Sequence, residues 1–419
     1  MEKIEEIQKM ADYCLNCKAK PCTKACPMNT NIPEFIQKIK SKEYGEAYNI
    51  LQENNKFSYI CSLVCPQEEQ CQGSCVRGVK SEPTQIGKLE KFVNEWAIET
   101  KYNIKHKEIK NKVNKKVAVI GSGPAGLSCC IELLNNGYDV TVFEKELLAG
   151  GLLRYGIPDF RLSKENIDRI IENIKSYGAK FEFNKELGKN LHIKQLKEEY
   201  DYIFLGIGAE VSTTYKLSDN NVEKIYDSEY FLKEYNNERN IKNLGDVVVI
   251  GGGNVAIDCA RTAVRMGAKN VSILYRRDEE NMPARDIEVK EAIEDGVKIN
   301  YKTRVISAIS DENGKITGVN CIKTNIIDKK AVDIPNTEFT YPANTVVFAI
   351  GLKPNKTILS DEGININEYD LVDIDDECRT NIENVFAGGD VSESKSTVCR
   401  ALSAGRKAAL KIIELNRNA

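Results

Sequence analysis

Two stretches of the sequence repeat one pattern of strand, glycine-rich turn, helix and second strand. The first is KKVAVIGSGPAGLSCCIELLNNGYDVTVFEK at residues 115–145, and the second is DVVVIGGGNVAIDCARTAVRMGAKNVSILYRR at residues 246–277. A strand that leads through such a turn into a helix is typical of a dinucleotide-binding βαβ unit. We therefore expect an α/β protein with two Rossmann-like dinucleotide-binding domains.

The first turn has the spacing G-x-G-x-x-G. Its first glycine permits a tight turn, its second lets the backbone approach a pyrophosphate, and its third lets the helix pack closely on the strand. The following strand ends in an acid, roughly 20 residues further on, where a carboxylate can bind ribose hydroxyls. The alternative is a glycine turn without a ligand. The predicted nucleotide contacts are Gly121, Gly123, Pro124, Ala125, Gly126 and Glu144.

The second turn has alanine in the third position, and its second strand ends in two arginines instead of an acid. A carboxylate there would repel a 2′-phosphate, whereas guanidinium groups can hold one with paired hydrogen bonds. This contrast favours NADPH over NADH, and the alternative is that RRDEE is a solvated charged surface. The predicted contacts are Gly251, Gly253, Asn254, Val255, Ala256, Arg276 and Arg277.

An acid in one domain and arginines in the other predict FAD in the first and NADP(H) in the second. Two short apolar strands, YDYIFLGIG and NTVVFAIG, mark the points where the chain passes between the domains. The second of these ends in Gly351, a further predicted cofactor contact. We expect the second domain, residues 214–351, to be inserted in the FAD-binding domain, residues 111–213 and 352–419.

Eight of the 14 cysteines precede residue 76, in two sets. They could form a disulfide framework, bind zinc or hold iron–sulfur clusters. The sequence is charged from its second residue and has no apolar stretch of bilayer length, so we expect a cytoplasmic protein with reduced thiols. This expectation disfavours disulfides. The sets are Cys14, Cys17, Cys22 and Cys26, then Cys61, Cys65, Cys71 and Cys75.

The residues between these sets are typical of helices. NIPEFIQKIK and IGKLEKFVNEWAIE space their apolar residues three and four apart. We predict a small helical domain over residues 1–110, which is too small to depend on its apolar core alone. The basic run at residues 101–116 is interpreted as a solvated linker, and the formal net charge of −3 gives no general attraction to nucleic acid or membranes.

The first set is similar to the ferredoxin run C-x2-C-x2-C-x3-C-P, with two extra residues in its middle gap. Paired cysteines are also found in structural zinc sites. A redox-inert ion would be an unusual neighbour for a flavin and a nicotinamide, so iron–sulfur chemistry is favoured and zinc remains the alternative.

Four further stretches accompany these motifs: CPMNTNIPEFI, GGLLRYGIPDFRL, YRRDEENMPAR and VFAGGD. With them, the whole chain resembles the small subunit of NADPH-dependent glutamate synthase. The same module occurs at the N-terminus of dihydropyrimidine dehydrogenase and in the large subunit of the electron-bifurcating NADH-dependent ferredoxin:NADP oxidoreductase. The resemblance implies that an aspartate meets the FAD ribityl chain and that the last helix starts at the flavin. The implied FAD contacts are Gly151, Leu152, Arg161, Gly389, Asp390, Thr397 and Val398.

The resemblance also implies two 4Fe–4S clusters with interleaved ligands. One is held by Cys14, Cys17, Cys22 and Cys75, and the other by Cys26, Cys65, Cys71 and Glu90. Independently, Glu90 lies at the edge of an apolar helical stripe, where an unpaired carboxylate is costly. Cys61 is then a buried or spare thiol. The six cysteines with no matching ligand position are interpreted as structural: Cys129, Cys130, Cys259, Cys321, Cys378 and Cys399.

These features together predict an electron-transfer oxidoreductase. NADPH supplies two electrons as hydride, a cluster accepts one at a time, and a flavin handles both. Only two histidines are present, which suits hydride transfer without an acid or base. No barrel or glutaminase-like segment is apparent, so we expect a partner chain to carry the terminal substrate. A flavin-dependent disulfide reductase with structural zinc is the alternative from another class, but no cysteine pair has the required spacing.

Overall fold

The computed structural model describes residues 4–102, 112–218, 222–237, 241–394 and 397–418. Residues 103–111 lie outside this part, and they include His106, the centre of the basic run and the predicted boundary at residue 110. By its internal contacts the chain divides into two compact units. The first comprises residues 1–153, 160–208 and 354–419, and the second comprises residues 154–159 and 209–353.

The N-terminal part is helical in its described residues, as the periodicity predicts. Its helices are α1 (Ile4–Asp12), α2 (Pro21–Ala25), α3 (Ile32–Lys40), α4 (Tyr44–Asn54), α5 (Ser58–Val64) and α6 (Ile86–Glu99). Helices α3 and α6 cover the two stretches whose apolar spacing predicts them. Their apolar faces meet in one core, where Ile36 and Leu89 are fully buried. Two 3₁₀ turns, Gln67–Glu69 and Val76–Val79, adjoin the second set of cysteines.

The first nucleotide-binding domain begins with a parallel sheet. Its elements are β1 (Lys116–Ile120), α7 (Pro124–Asn135), β2 (Asp139–Glu144), α8 (Leu152–Tyr155), α9 (Lys164–Ser176), β3 (Lys180–Phe183), α10 (Ile193–Glu199) and β4 (Tyr202–Leu205). Val117 pairs with Val140 of β2 and with Tyr202 of β4, so β1 lies between these strands. The carboxyl end of β1 therefore leads into its glycine turn at the middle of the sheet.

The second unit contains another parallel sheet and an antiparallel one. Its elements are β5 (Val211–Ser212), β6 (Ile225–Asp227), α11 (Ser228–Asn237), β7 (Asp246–Gly251), α12 (Asn254–Arg265), β8 (Asn270–Leu274), α13 (Asp286–Glu294), β9 (Lys298–Asn300), β10 (Thr303–Ser310), β11 (Ile316–Ile327), β12 (Lys330–Asp333), β13 (Phe339–Pro342), β14 (Thr345–Ala349) and β15 (Leu352–Lys353). The parallel order is β6-β14-β7-β8-β9, and β11 pairs with β10, β12 and β13. The second glycine turn again follows a central strand.

The chain then returns to the first sheet. Its last elements are α14 (Lys356–Asp361), β16 (Val385–Ala387) and α15 (Val398–Asn418). Strand β16 pairs with β4 in parallel, which completes the order β16-β4-β1-β2-β3. Helix α15 packs so closely on α7 that a Cβ on Gly405 would lie 1.9 Å from the Ala125 carbonyl oxygen. The fold class is confirmed: a helical N-terminal domain precedes two Rossmann-like domains, the second inserted in the first.

Candidate cofactor sites

The first glycine turn joins β1 to α7, and two of its glycines are required by the protein's own packing. Gly121 has φ +96°, and a Cβ on it would lie 2.4 Å from the Gly206 carbonyl oxygen. A Cβ on Gly126 would lie 1.9 Å from the Gly121 carbonyl oxygen. Only glycine at these two positions lets the helix begin so close to the strand.

Gly123 differs because a Cβ on it would meet no atom within 4 Å. Its backbone is extended, with φ −71° and ψ −178°, a conformation open to any residue. Pro124 and Ala125 follow in the first turn of α7, whose free N–H groups and macrodipole favour an anion. The open space beside Gly123 therefore fits a pyrophosphate at the start of the helix.

Glu144, at the end of β2, is buried beside the same turn. Its Oε2 atom accepts hydrogen bonds from the Ser122 hydroxyl and, at 2.9 Å, from the Ser122 amide. Its Oε1 atom accepts one from the Glu146 amide at 2.9 Å. These bonds fix the orientation of the carboxylate, and its remaining lone pairs can accept ribose hydroxyls. Ser122 is not among the predicted residues, because its only signal in the sequence is its place between two glycines of the turn.

Two more predicted glycines meet at the start of α7. Gly151 has φ +52°, and its Cβ would lie 2.7 Å from the Gly123 Cα. Gly389 has φ +85°, and its Cβ would lie 2.8 Å from the Ala125 Cβ. Among the other predicted FAD residues, Leu152 begins α8 and Arg161 lies between α8 and α9. Asp390 follows Gly389, and Thr397 and Val398 lie at the start of α15.

The second glycine turn, between β7 and α12, repeats this geometry. Gly251 has φ +151°, and a Cβ on it would lie 2.2 Å from the Ala349 carbonyl oxygen. A Cβ on Gly253 would meet nothing within 4 Å, while Ala256 is fully buried beneath the turn. This turn also leaves space for a pyrophosphate at the start of a helix.

The two arginines follow β8, and neither has a described ion pair with an acid. The Arg277 guanidinium lies 5.6 Å from the Tyr275 ring centroid, and its Nε is buried with no hydrogen-bond partner among the described residues. An unpaired buried N–H is costly, and an anionic ligand can relieve that cost. Of the other predicted residues, Arg276 and Val255 are exposed. The Asn254 side chain accepts a hydrogen bond from the Arg285 amide, and a Cβ on Gly351 would meet no atom within 4 Å.

The thiols predicted to hold the first cluster lie together. Cys14, Cys17, Cys22 and Cys75 line one cavity with largely apolar walls. Burial raises the pKa of the Cys22 thiol to about 11, so the protein alone disfavours its thiolate. A bound cation or cluster is what would hold that thiol in its ionised form.

Two thiols of the second predicted set, Cys26 and Cys71, lie near Glu90 of α6. Burial raises the pKa values of the Cys26 and Cys71 thiols, and the nearby Glu90 charge raises both further. Glu90 is only 8% exposed, and its carboxylate accepts no hydrogen bond from any described residue. Burial raises the Glu90 pKa to about 8. A buried carboxylate without a partner, beside several thiols, fits a site for a metal cluster.

The last predicted thiol of this set, Cys65, is buried. The neighbouring Cys399 and Cys61 thiols, together with burial, raise the pKa of the Cys65 thiol well above its usual range. Cys61 is buried, as expected. Cys399, which we interpreted as structural, is buried in α15, where its Sγ lies 3.0 Å from Gln70 Nε2. This contact was not predictable from the sequence, because 329 residues separate Gln70 from Cys399.

The spacing of these side chains differs from that of a single-ion site. Among the described residues, no three His, Cys, Asp or Glu side chains lie close enough to share one metal ion. A tetrahedral zinc ion would hold its thiolates about 3.8 Å apart, since Zn–S bonds are about 2.3 Å long. Each ligand of a 4Fe–4S cluster binds a different iron, so its ligands stand wider apart. All 14 cysteines are free thiols, and Cys129, Cys130, Cys259, Cys321 and Cys378 are buried.

Comparisons with known proteins decide the family. Residues 115–408 match the family described as "Pyridine nucleotide-disulphide oxidoreductase", and residues 1–102 match "Dihydropyrimidine dehydrogenase domain II, 4Fe-4S cluster". The NADPH glutamate synthase small chain of Escherichia coli (strain K12) is 33% identical over 428 residues, which are 96% of this chain and 90% of that one. The chain belongs to the glutamate synthase small-chain family.

Two further comparisons are with a longer relative and with a solved structure that shows the fold alone. The Escherichia coli protein AegA is 33% identical over 435 residues, which are 98% of this chain and 66% of that one. Mycobacterium tuberculosis FprA in complex with NADPH is 17% identical, with a TM-score of 0.63 over 73% of this chain and 85% of that one. The chain spans between 59% and 91% of the lengths of the curated relatives compared.

Family membership confirms the resemblance drawn from the sequence. This glutamate synthase small-chain homologue is a flavoprotein oxidoreductase with FAD, NADPH and 4Fe–4S clusters as its cofactors. The geometry of both glycine turns and of both cysteine sets fits these groups. Among the helices of the described residues, none has the length and hydropathy of a membrane span. Which residue holds which cofactor remains a prediction.

Proposed function

We propose that this chain takes electrons from NADPH and passes them, through bound FAD and two 4Fe–4S clusters, to a partner chain that carries the terminal substrate. A flavin accepts a hydride and can release its electrons singly, which joins a two-electron donor to one-electron carriers. The observation that carries the proposal is the coexistence, in one chain, of two open glycine turns with four thiols that line one cavity and a buried carboxylate beside two further thiols.

We assign the domains and ligands as the sequence predicts. The iron–sulfur domain is residues 1–110, the FAD domain is residues 111–213 and 352–419, and the NADP(H) domain is residues 214–351. The first cluster takes Cys14, Cys17, Cys22 and Cys75, which line one cavity. The second takes Cys26, Cys65, Cys71 and Glu90. Support for Glu90 is its burial without a hydrogen-bond partner beside two of these thiols.

The chain's own residues act by binding and orienting the cofactors. The starts of α7 and α12 each present free N–H groups to an open space, and Glu144 is held by Ser122 to receive a ribose. Arg277 offers an unpaired N–H for a 2′-phosphate. Hydride transfer between two bound cofactors requires no side-chain acid or base, so positioning is the main contribution of these residues.

The names of the relatives support a partner chain. One is the glutamate synthase small chain, another is the subunit beta of an NADP(+)-dependent formate dehydrogenase of Moorella thermoacetica, and a third is the subunit beta of an NADPH-Fe(3+) oxidoreductase of Geobacter sulfurreducens. We propose the glutamate synthase type first. An electron-input subunit of dihydropyrimidine dehydrogenase and a bifurcating ferredoxin:NADP oxidoreductase are the competing assignments. We also propose a cytoplasmic location, where ligand thiols stay reduced.

The test begins with protein purified without oxygen. We expect FAD absorbance over a broad iron–sulfur absorbance, about eight iron and eight labile sulfide per chain, and bleaching of the flavin by NADPH. Flavin with bound zinc and no labile sulfide would contradict the proposal. Co-purification from the native organism then separates the partners, because a glutaminase-bearing chain, a barrel pyrimidine reductase and a small iron–sulfur flavoprotein differ in size and cofactors.

Glu90 is tested separately by substitution. Glu90→Ala should leave the EPR signal of the first cluster and alter or abolish that of the second, because the substitution removes one of four ligands. Glu95→Ala is the matched control, since Glu95 lies on the same helix and pairs with Lys91 at the surface. It should leave both signals unchanged. Unchanged spectra in the Glu90→Ala protein would remove Glu90 from the ligand set.

A further inference from the structure

Two buried threonines stand directly before helices of the iron–sulfur domain. Thr30 precedes α3 and Thr84 precedes α6, and each lies two residues before its helix begins. Both are 2% exposed. The carbonyl oxygen of each accepts a hydrogen bond, at 2.8 Å, from the amide of the first residue of the helix. The two segments therefore share one local structure, which fixes each threonine beside the start of its helix.

Each threonine hydroxyl lies against the sulfur of one predicted cluster ligand. Thr84 Oγ1 is 3.6 Å from Cys75 Sγ, and Thr30 Oγ1 is also 3.6 Å from Cys26 Sγ. The Thr84 amide donates a further hydrogen bond to the Cys75 sulfur, at 3.5 Å. Neither hydroxyl has another hydrogen-bond partner among the described residues. Because a buried hydroxyl requires a partner, the cysteine sulfur is the group that accounts for each of them.

The two contacts belong to different predicted clusters. Thr84 lines the cavity of the four thiols predicted to hold the first cluster, and Cys75 is one of those thiols. Thr30 and Cys26 are not among the residues that line this cavity. Cys26 is predicted to hold the second cluster, although it lies only four residues after Cys22 of the first set. Each predicted cluster therefore has a threonine hydroxyl of its own.

The ionisation state of the sulfur decides which group donates the hydrogen bond. In the free thiols the cysteine donates its proton to the hydroxyl oxygen. A cysteine that binds iron is a thiolate and has no proton to donate. A hydroxyl can donate as well as accept, so it can turn its own proton toward the sulfur. A hydrogen bond to this anionic acceptor is stronger than one between neutral groups.

We propose that each threonine hydroxyl donates a hydrogen bond to its ligand sulfur and thereby raises the reduction potential of one cluster. Thr84 acts on the first cluster through Cys75. Thr30 acts on the second cluster through Cys26. This inference rests on the proposed function, because it requires clusters bound to these cysteines. Reduction adds negative charge to a cluster and its ligand sulfurs, so such a hydrogen bond stabilises the reduced form more than the oxidised form. Both threonines are positioning residues.

The test replaces each threonine by valine, which keeps the branched shape but has no hydroxyl, and by serine, which keeps the hydroxyl. The variants and the wild type are purified without oxygen, assayed for iron, labile sulfide and FAD, and titrated potentiometrically with EPR detection of each cluster. We expect wild-type contents throughout. In Thr84→Val the equilibrium constant for reducing one cluster should be three- to tenfold smaller, a fall of at most about 59 mV for a one-electron couple. Thr30→Val should lower the potential of the other cluster by a similar amount. Thr84→Ser and Thr30→Ser should keep both potentials at their wild-type values.

Thr262→Val is the matched control. Thr262 is fully buried in the other unit of the chain, and its hydroxyl has no hydrogen-bond partner among the described residues. The same exchange there should leave both potentials unchanged.

Three results would overturn the inference. The first is a valine variant with both potentials unchanged, or shifted no more than in its serine counterpart. The second is a shift of the same cluster in both valine variants. The third is loss of a cluster in a valine variant, because the hydroxyl would then be required to hold the cluster. Wild-type protein without iron and sulfide would instead refute the proposed function.

Discussion

The substitution Gly123→Ala distinguishes an effect on folding stability from an effect on FAD binding. The added methyl group would meet no atom within 4 Å, and the backbone of Gly123 is already extended, at φ −71°. Alanine is a poorer N-cap than glycine by a fraction of a kcal/mol, while it lowers the entropy of the unfolded chain by about 0.4–1 kcal/mol. We expect the free energy of unfolding of the FAD-free protein to change by less than about 1 kcal/mol.

The expected effect on FAD is much larger. The second glycine of such a turn lets the pyrophosphate approach the backbone, and the methyl group would occupy that space. Forcing a group into filled space costs about 1–3 kcal/mol. Pushing the phosphate away also weakens hydrogen bonds to a charged group, each of which contributes about 1.5–3 kcal/mol. A combined loss of about 3 kcal/mol raises the dissociation constant of FAD roughly a hundredfold.

The assay combines FAD titration of the apoprotein, followed by flavin fluorescence, with denaturant unfolding of the same sample. Gly253→Ala is the matched control, since its Cβ also meets nothing within 4 Å and its backbone is extended at φ −91°. It should weaken NADPH binding and leave FAD content unchanged. Wild-type FAD affinity in Gly123→Ala would refute the placement of the pyrophosphate. A loss of folding stability above about 2 kcal/mol would refute the argument that the space is free.

Three further predictions follow from the geometry. Arg277→Ala should weaken NADPH binding about tenfold to a hundredfold and leave NADH binding unchanged, as measured by reductive titration. Gly405→Ala should lower the free energy of unfolding by about 3 kcal/mol, measured in denaturant, because its Cβ would lie 1.9 Å from a carbonyl oxygen of α7. Burial raises the pKa of Asp295, but hydrogen bonds from two arginines outweigh it and lower that pKa below 3.8. Asp295→Asn should therefore cost about 1 kcal/mol at pH 7, and this difference should vanish as the pH falls through the lowered pKa.

The features that sequence analysis predicted well are those set by local geometry. A tight strand-to-helix turn needs glycine at the positions where a side chain would strike the neighbouring backbone, so Gly121 and Gly251 identify their turns without knowledge of the rest. Helix α6 was predictable because its apolar residues repeat with helical spacing. The same spacing identified Glu90, because it places a carboxylate at the edge of the apolar stripe of this helix.

The features that sequence analysis missed depend on contacts between distant segments. Nothing near Cys399 in the sequence marks it, because its partners lie in the iron–sulfur domain, and Gln70 is 329 residues away. Ser122 is similar in kind, since its bond to Glu144 arises only when β1 and β2 pair. The antiparallel strands β10–β13 were also not foreseen, because no glycine turn or ligand pattern accompanies them.

Helix α15 packs against elements of both the proposed FAD site and the proposed iron–sulfur domain. On one side it packs against α7, with Gly405 in backbone contact with Ala125, and α7 begins at the open space beside Gly123. On another side, Cys399 and Ser403 contact the iron–sulfur domain. We therefore expect a displacement of α15 to affect both proposed sites. Close-packed backbones tolerate little adjustment. We therefore expect Gly405→Ala, which loosens this helix, to lower the affinity for FAD and to shift the potential of the second cluster. The first cluster should keep its potential, because no described residue of α15 lines the cavity of its four predicted thiols.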